Sequence, residues 1–336
     1  MVPKNDFNYY KSVEGEAHIV CQLCRHYCRL KEGQRGFCGV NKNREGRLEN
    51  LVYGHPVALN VDPVEKKPLY HLLPGSNALS LGTVGCNFKC PFCQNWNISQ
   101  ERVVDKKTVR SPSRIVELAV EEGVASIAYT YNEPTVFYPY ARDIGTMARE
   151  RGIKNIFVSN GFFSKEIAKD MPHWLDGVNI DLKSWDDGYY RRVLKGGLEG
   201  VKETLKRMVG EGIWVEVTTL IVPGENDSDA TLQEMAAFIA NRLGKHVPWH
   251  LSAFHPDYKM RETESTPVDT LFRAKQIGQE AGLHYIYLGN VPVHGDTHCP
   301  SCGTLLIDRT GYSVTVNRLE KGHCPHCQRK IEGCWH

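Results

Sequence analysis

No run of eighteen apolar residues occurs anywhere in the 336-residue chain, so no membrane-spanning helix is expected. The opening stretch MVPKNDFNYYKSVEGEAHIV lacks the apolar core of a signal peptide, and the expectation is a cytoplasmic protein with no membrane partner. Neither sign of charge is in excess: 41 lysines and arginines face 39 aspartates and glutamates, for a formal net charge of +2. Without a basic field, nucleic acid is not an expected partner either. Internal repeats, low-complexity tracts and long like-charge runs are missing too, which sets aside solenoids and disordered tails. What remains is ordinary globular composition, 41% hydrophobic and 24% charged, in a length that suits one large α/β domain with small additions.

Cysteine, by contrast, is plentiful. Twelve cysteines fall into groups: Cys21, Cys24, Cys28 and Cys38; then Cys86, Cys90 and Cys93; then Cys299, Cys302, Cys324 and Cys327, with Cys334 left over and given no role. In a reducing compartment, clustered thiols hold metal more often than they form disulfides.

From residue 75 onward, short apolar and β-branched runs alternate with amphipathic stretches. Strands are expected at 78–84, 125–130, 155–159, 177–181, 214–222, 249–254 and 284–289, each apolar enough to be covered on both faces. Ser111-Pro112 should open a helix that ends before Gly123. Leu232, Met235, Ala236, Ile239 and Leu243 form the apolar stripe of another, closed by Gly244. Alternation at this spacing predicts a parallel α/β sheet, open or closed as a barrel. Polar residues cluster just past the strands: the three cysteines, Tyr131 to Pro134, Asn160-Gly161, Asp181 to Lys183, Val222 to Gly224, Phe254 to Pro256, and Asn290. In parallel barrels the carboxyl ends of the strands carry the chemistry, so the pattern favours an enzyme over a metal-binding scaffold. His250 reads as a packed barrel histidine.

The stretch SLGTVGCNFKCPFCQNWN poses a question of missing ligands, because its C-x3-C-x2-C spacing supplies three thiolates where zinc or an all-cysteine iron–sulfur cluster takes four. Two readings follow. A distant His or Cys completes a zinc site, or the trio holds three irons of a cubane and leaves the fourth open for a ligand.

With Phe92 before the last cysteine, this loop resembles the signature of the radical S-adenosylmethionine (SAM) superfamily. The finer similarity is to the radical SAM member of the AmmeMemoRadiSam system, related to the pyruvate formate-lyase activating enzymes. It is carried in order by CQLCRHYCRLKEGQRGFCGV, DPVEKKPLYHLLPGS, CNFKCPFCQNWNISQ, YTYNEPTVFY, NIDLKSW, IVPGEND and FHPDYKM. The resemblance implies a partial TIM-like (β/α)6 barrel over 75–292, between a Cys-rich N-terminal lobe, 1–74, and a zinc-ribbon-like extension, 293–336. It implies a 4Fe-4S cluster on Cys86, Cys90 and Cys93 that binds SAM through its amino and carboxylate groups. Reductive cleavage would give a 5′-deoxyadenosyl radical that abstracts hydrogen from an unidentified substrate, with electrons from a separate donor. The implied SAM-binding residues are Phe92; Asn132 and Glu133 at a Gly-Gly-Glu-Pro motif whose glycines are here Tyr131-Asn132; Asn160 and Gly161 near the ribose; Asp181 and Lys183 near the carboxylate; and His255 at the adenosyl pocket. The system also implies AMMECR1-like and Memo-like partners. The rival readings are a glycyl-radical enzyme activase acting on a protein and a non-catalytic zinc-binding interaction module.

The remaining groups are read by spacing. Two C-x2-C pairs twenty-one residues apart, Cys299 and Cys302 with Cys324 and Cys327, form a zinc-ribbon pattern, although iron uses the same four thiolates. Cys21, Cys24, Cys28 and Cys38 are expected to hold a structural metal or second cluster of unspecified kind, with His26 a competing ligand.

Overall fold

A computed structural model describes residues 9–13 and 18–335. Its centre is an eight-stranded sheet whose spatial order follows the chain: β1 (Ala58–Pro63), β2 (Asn77–Gly82), β3 (Ser126–Tyr129), β4 (Lys154–Ser159), β5 (Gly177–Asp181), β6 (Trp214–Ile221), β7 (Trp249–Ala253) and β8 (Ile286–Gly289). Strands β2 to β8 are parallel and occupy the seven predicted runs. The sheet stays open between β8 and β1, so the architecture is an open partial barrel. Strand β1 was not predicted. It runs antiparallel along β2, with Ala58 opposite Gly82 and Pro63 opposite Asn77, and it comes from the segment assigned to the N-terminal lobe. Exposed Asn60 and Val61 interrupt the apolar pattern by which strands are recognised.

Each parallel crossover carries a helix: α1 (Pro112–Glu121), α2 (Tyr138–Glu150), α3 (Lys165–Asp170), α4 (Leu198–Gly210), α5 (Asp229–Phe238) and α6 (Val268–Glu280). Ser111 caps α1 as expected, its hydroxyl accepting from the Arg114 amide. The α5 stripe is buried throughout and continues through a π turn, Ile239–Leu243, to Gly244. Helix α2 lies close enough to Trp174 that a Cβ on Gly145 would fall 2.2 Å from the indole, so this contact requires glycine. No helix among the described residues is long and apolar enough to cross a membrane.

The tail folds as a hairpin, Leu305–Thr310 with Ser313–Asn317, joined by Thr297–His298. It shares a buried cluster with Tyr70, Tyr285 and Tyr287 at the β8 side of the barrel. Arg309 anchors it. The guanidinium is wholly buried and donates to Tyr70 O (2.6 Å), Gly295 O (3.1 Å) and Thr297 Oγ1 (2.8 Å), with Glu65 Oε1 at 3.4 Å. Replacing one member of such a pair strands the other charge without water. Arg309→Met should therefore cost about 3–5 kcal/mol in a denaturant titration.

Candidate functional site

The barrel interior encloses a cavity of about 530 Å³ that opens at the carboxyl ends of the strands. Strand alternation decides what faces it: Thr218 and Leu220 from β6, His250 and Ser252 from β7, with Val217, Leu251 and their neighbours turned to the core. Cys86, Cys90 and Cys93 line it from the loop after β2, beside buried Phe92.

Burial raises both Cys86 and Cys90, Cys86 also through nearby Glu133; Cys90 reaches about 12 despite the opposing Lys183 charge. Such thiols are protonated and inert unless a metal takes them as thiolates. No three-sulfur set among Cys86, Cys90 and Cys93 lies within 4.8 Å of one another, a spread that suits thiolates on different irons of one cluster rather than on one ion.

Opposite charges flank this loop. Glu133 Oε2 accepts the Asn160 amide (2.7 Å), and Oε1 accepts the Ser159 hydroxyl (2.8 Å) and the Thr135 amide (3.1 Å). Burial nonetheless leaves the carboxyl above its usual range, opposed by these donors, so it stands to gain from a cation placed beside it. Lys183 Nζ pairs with Asp181 Oδ2 at 2.8 Å and sits 5.7 Å from the Phe92 ring centroid. Burial disfavours the ammonium, but the Asp181 charge outweighs it and keeps the lysine protonated. A ligand with an ammonium and a carboxylate thus meets both complements next to three soft thiolates. The donor set fits a cluster with bound SAM. Glu133→Gln and Lys183→Met should each weaken SAM binding by roughly tenfold or more, as the loss of a charged hydrogen bond does; isothermal titration on the reconstituted protein checks it.

Other expected residues divide. Asn160 lines the cavity and donates to Asn87 Oδ1 at 2.7 Å. Asn132 lines it but spends its amide on the cysteine loop, donating to Gly85 O (2.7 Å) and Thr83 Oγ1 (3.1 Å) and accepting the Thr83 amide (3.1 Å). Gly161 lies behind the wall with φ +71°, where an added Cβ would approach Ile180 Cγ2 at 2.7 Å. His255 is exposed in the loop past β7 and lies outside the cavity lining; the histidine facing the cavity is His250.

Several cavity residues carry no role in the sequence reading. Tyr131, at φ +69°, takes the left-handed conformation that a glycine would adopt without strain. Its hydroxyl donates to Asp62 Oδ2 (2.7 Å), which also takes Lys67 Nζ (2.6 Å), while Asp62 Oδ1 takes Lys66 Nζ (2.8 Å). Glu65, Lys66, Lys67 and Tyr70 bring the segment DPVEKKPLY into the cavity wall, and Tyr312 reaches it from the tail hairpin.

The tail cysteines assemble at single-ion spacing: Cys299 and Cys327 sulfurs stand 3.6 Å apart, Cys302 and Cys324 3.7 Å, and all four ligand atoms lie within 4.8 Å. Tetrahedral Zn–S bonds of about 2.3 Å put sulfurs about 3.8 Å apart. The head cysteines differ. No three of Cys21, Cys24, Cys28 and Cys38 come within 4.8 Å of one another, so they do not converge on a single ion, whereas the second cluster expected as the alternative would hold its thiolates farther apart. Cys21, Cys24 and Cys38 are buried, and Cys21 and Cys38 pack in the apolar core with Leu23 and Leu30. His26 Nε2 is engaged by Asn87 O at 2.8 Å.

Comparison with known proteins bears on the same residues. Residues 80–239, which include the cysteine loop, match the Radical SAM superfamily. An uncharacterized protein of Methanocaldococcus jannaschii is 41% identical over 331 residues, covering 96% of this chain and 98% of that one. The pyruvate formate-lyase-activating enzyme of Clostridium pasteurianum is 22% identical over 54% of this chain and 81% of its own length. In structure, a radical SAM methyltransferase from Sphaerobacter thermophilus superposes with a TM-score of 0.52 at 16% identity, over 69% of this chain and 71% of that chain, a likeness of fold.

Proposed function

Because this chain belongs to the radical SAM superfamily and is related to pyruvate formate-lyase-activating enzymes, we propose that it is an enzyme that cleaves SAM at a 4Fe-4S cluster on Cys86, Cys90 and Cys93. The observation that carries this reading is the placement of Glu133 and Lys183 on either side of the cysteine loop in one cavity. When bound, the cluster supplies the electron that splits SAM into methionine and a 5′-deoxyadenosyl radical able to abstract hydrogen. The chain's own residues bind and orient: Glu133 receives the amino group, Lys183 the carboxylate, and Phe92 with the barrel wall excludes water. Asn132 holds the cysteine loop against the end of β3. Anaerobic reconstitution followed by assay of 5′-deoxyadenosine tests the assignment.

The finer reading is a radical SAM enzyme of the AmmeMemoRadiSam type, working with AMMECR1-like and Memo-like proteins and an electron donor. Its support is the ordered set of motifs along the chain, and co-purification of tagged partners from cells checks it. A glycyl-radical activase is the second reading, favoured by the 22% identity to the Clostridium enzyme. It requires a glycyl radical on a protein partner, visible by electron paramagnetic resonance. The tail is proposed to carry zinc in a structural role.

A further inference from the structure

Away from the cysteines, the cavity presents polar atoms that have no hydrogen-bond partner among the described residues. His250 is the second residue of β7. Its ring centroid lies 4.8 Å from that of Tyr70, in the segment that follows Pro63, itself paired with Asn77 at the amino end of β2, so the histidine faces the floor of the barrel. Thr218, opposite His250 in the sheet register, also pairs with Asp181. His250 Nε2 lies 2.6 Å from Glu216 Oε2. Glu216, fully buried, also accepts from the Tyr70 amide (3.0 Å, Oε2), the His71 amide (2.8 Å, Oε1) and Trp214 Nε1 (3.0 Å, Oε1). Burial favours its neutral acid, but the hydrogen bonds it accepts, from His250 first and also from Trp214, hold it below the usual carboxylate range. An ionised carboxylate can only accept, so the His250 proton sits on Nε2 and Nδ1 is left as the second nitrogen of the ring.

His250 Nδ1 finds no hydrogen-bond partner among the described residues, and the ring lines the cavity. Tyr70 and Tyr287, with ring centroids 4.8 and 5.2 Å away, fix the imidazole plane. Thr218 Oγ1 and Glu65 Oε2 are also buried without partners, and both residues line the same cavity. The charged and titratable groups packed around the ring are Glu216 from β6, Tyr70 and His71 from the segment before β2, Tyr287 from β8 and Arg309 from the tail. Leaving Thr218 Oγ1 and Glu65 Oε2 buried and unpaired is costly unless a ligand satisfies them, and His250 Nδ1 faces the same space.

We propose that this end of the cavity is the substrate subsite, and that it takes a small polar molecule presenting hydroxyl or amino groups to His250, Thr218 and Glu65. His250 Nδ1 accepts a proton from a substrate O–H or N–H; the electron pair of that bond stays on the substrate oxygen or nitrogen, and the imidazolium formed is stabilised by Glu216. Glu216 is the positioning residue. The proposal rests on the reading that SAM occupies the cysteine end.

The test uses full-length protein labelled with 15N-histidine, with His250→Gln assigning the signal and diethyl pyrocarbonate as the chemical probe of the cavity-facing nitrogen. The expected wild-type ring carries its neutral-form proton on Nε2, and the reagent acylates His250. In Glu216→Gln an amide NH2 must face donors, and the imidazole is the donor able to answer by moving its proton to Nδ1. Acylation of His250 should then slow by about tenfold or more. A wild-type proton on Nδ1, or a His250 that the reagent leaves unmodified, overturns the proposal, as does an equal acylation rate in a folded Glu216→Gln variant. Assay of 5′-deoxyadenosine on the same wild-type preparation separates the two readings: its absence with the Nε2 tautomer intact counts against the cluster, while its presence with the wrong tautomer counts against His250 alone.

Discussion

Alanine at Cys86, Cys90 or Cys93 will leave the folded chain unable to make 5′-deoxyadenosine, with a loss on the order of 10³-fold or more, the scale of removing an essential group. Each thiol faces the same cavity, and burial keeps Cys86 and Cys90 protonated unless iron binds them. A cubane held by three protein thiolates cannot keep its place on two. Iron content and the cluster's visible absorbance should fall with activity, while thermal unfolding shows that the barrel persists. Cys93 sits beside Ser99, whose hydroxyl is 3.2 Å from its sulfur; serine is too hard a ligand to stand in for the missing thiolate. Loss of iron without loss of SAM cleavage would remove these residues from the chemistry.

Stripping the metal proposed for the four tail cysteines should produce the largest change in stability. Structural zinc in small domains contributes an apparent 10–16 kcal/mol, far above what any single buried side chain contributes. The hairpin has a modest core of its own, centred on Leu306, Ile307 and Ile331. Without the metal, Cys299 and Cys324 would remain buried with nothing to hold the two C-x2-C turns together. Serine at either position should release one metal ion per chain, measured by mass spectrometry. It should also expose the faces of Tyr70, Tyr285 and Tyr287 and add a low-temperature step to the melting curve. Because Tyr312 and Arg309 belong to the same hairpin, the substrate end of the cavity should loosen with it.

The seven parallel strands were legible because near-continuous apolar runs separated by capped helices leave few other folds open. Strand β1 was not, since its exposed Asn60 and Val61 break that pattern and its place depends on pairing with β2. At the site, the local motifs carried Cys86, Cys90, Cys93, Glu133, Asp181 and Lys183 into one cavity, because each sits at or just past a strand end. Residues defined by tertiary pairing were hidden. Glu216 and His250 are thirty-four positions apart, and only the register of β6 against β7 makes them neighbours. His255 was chosen over His250 for its position after the strand, but the chain has already turned outward there. The head cysteines show the limit of spacing: four thiols within eighteen residues suggest a metal or a cluster, and only their placement in three dimensions, where they do not converge on one ion, separates the two.

The most direct measurement is the product balance of the wild-type protein, purified without oxygen, reconstituted with iron and sulfide, then given dithionite and SAM. The account predicts 5′-deoxyadenosine and methionine in equal amounts, dependent on all three cysteines of the loop. A fully loaded cluster that binds SAM and forms neither product, with or without candidate substrates, would contradict it.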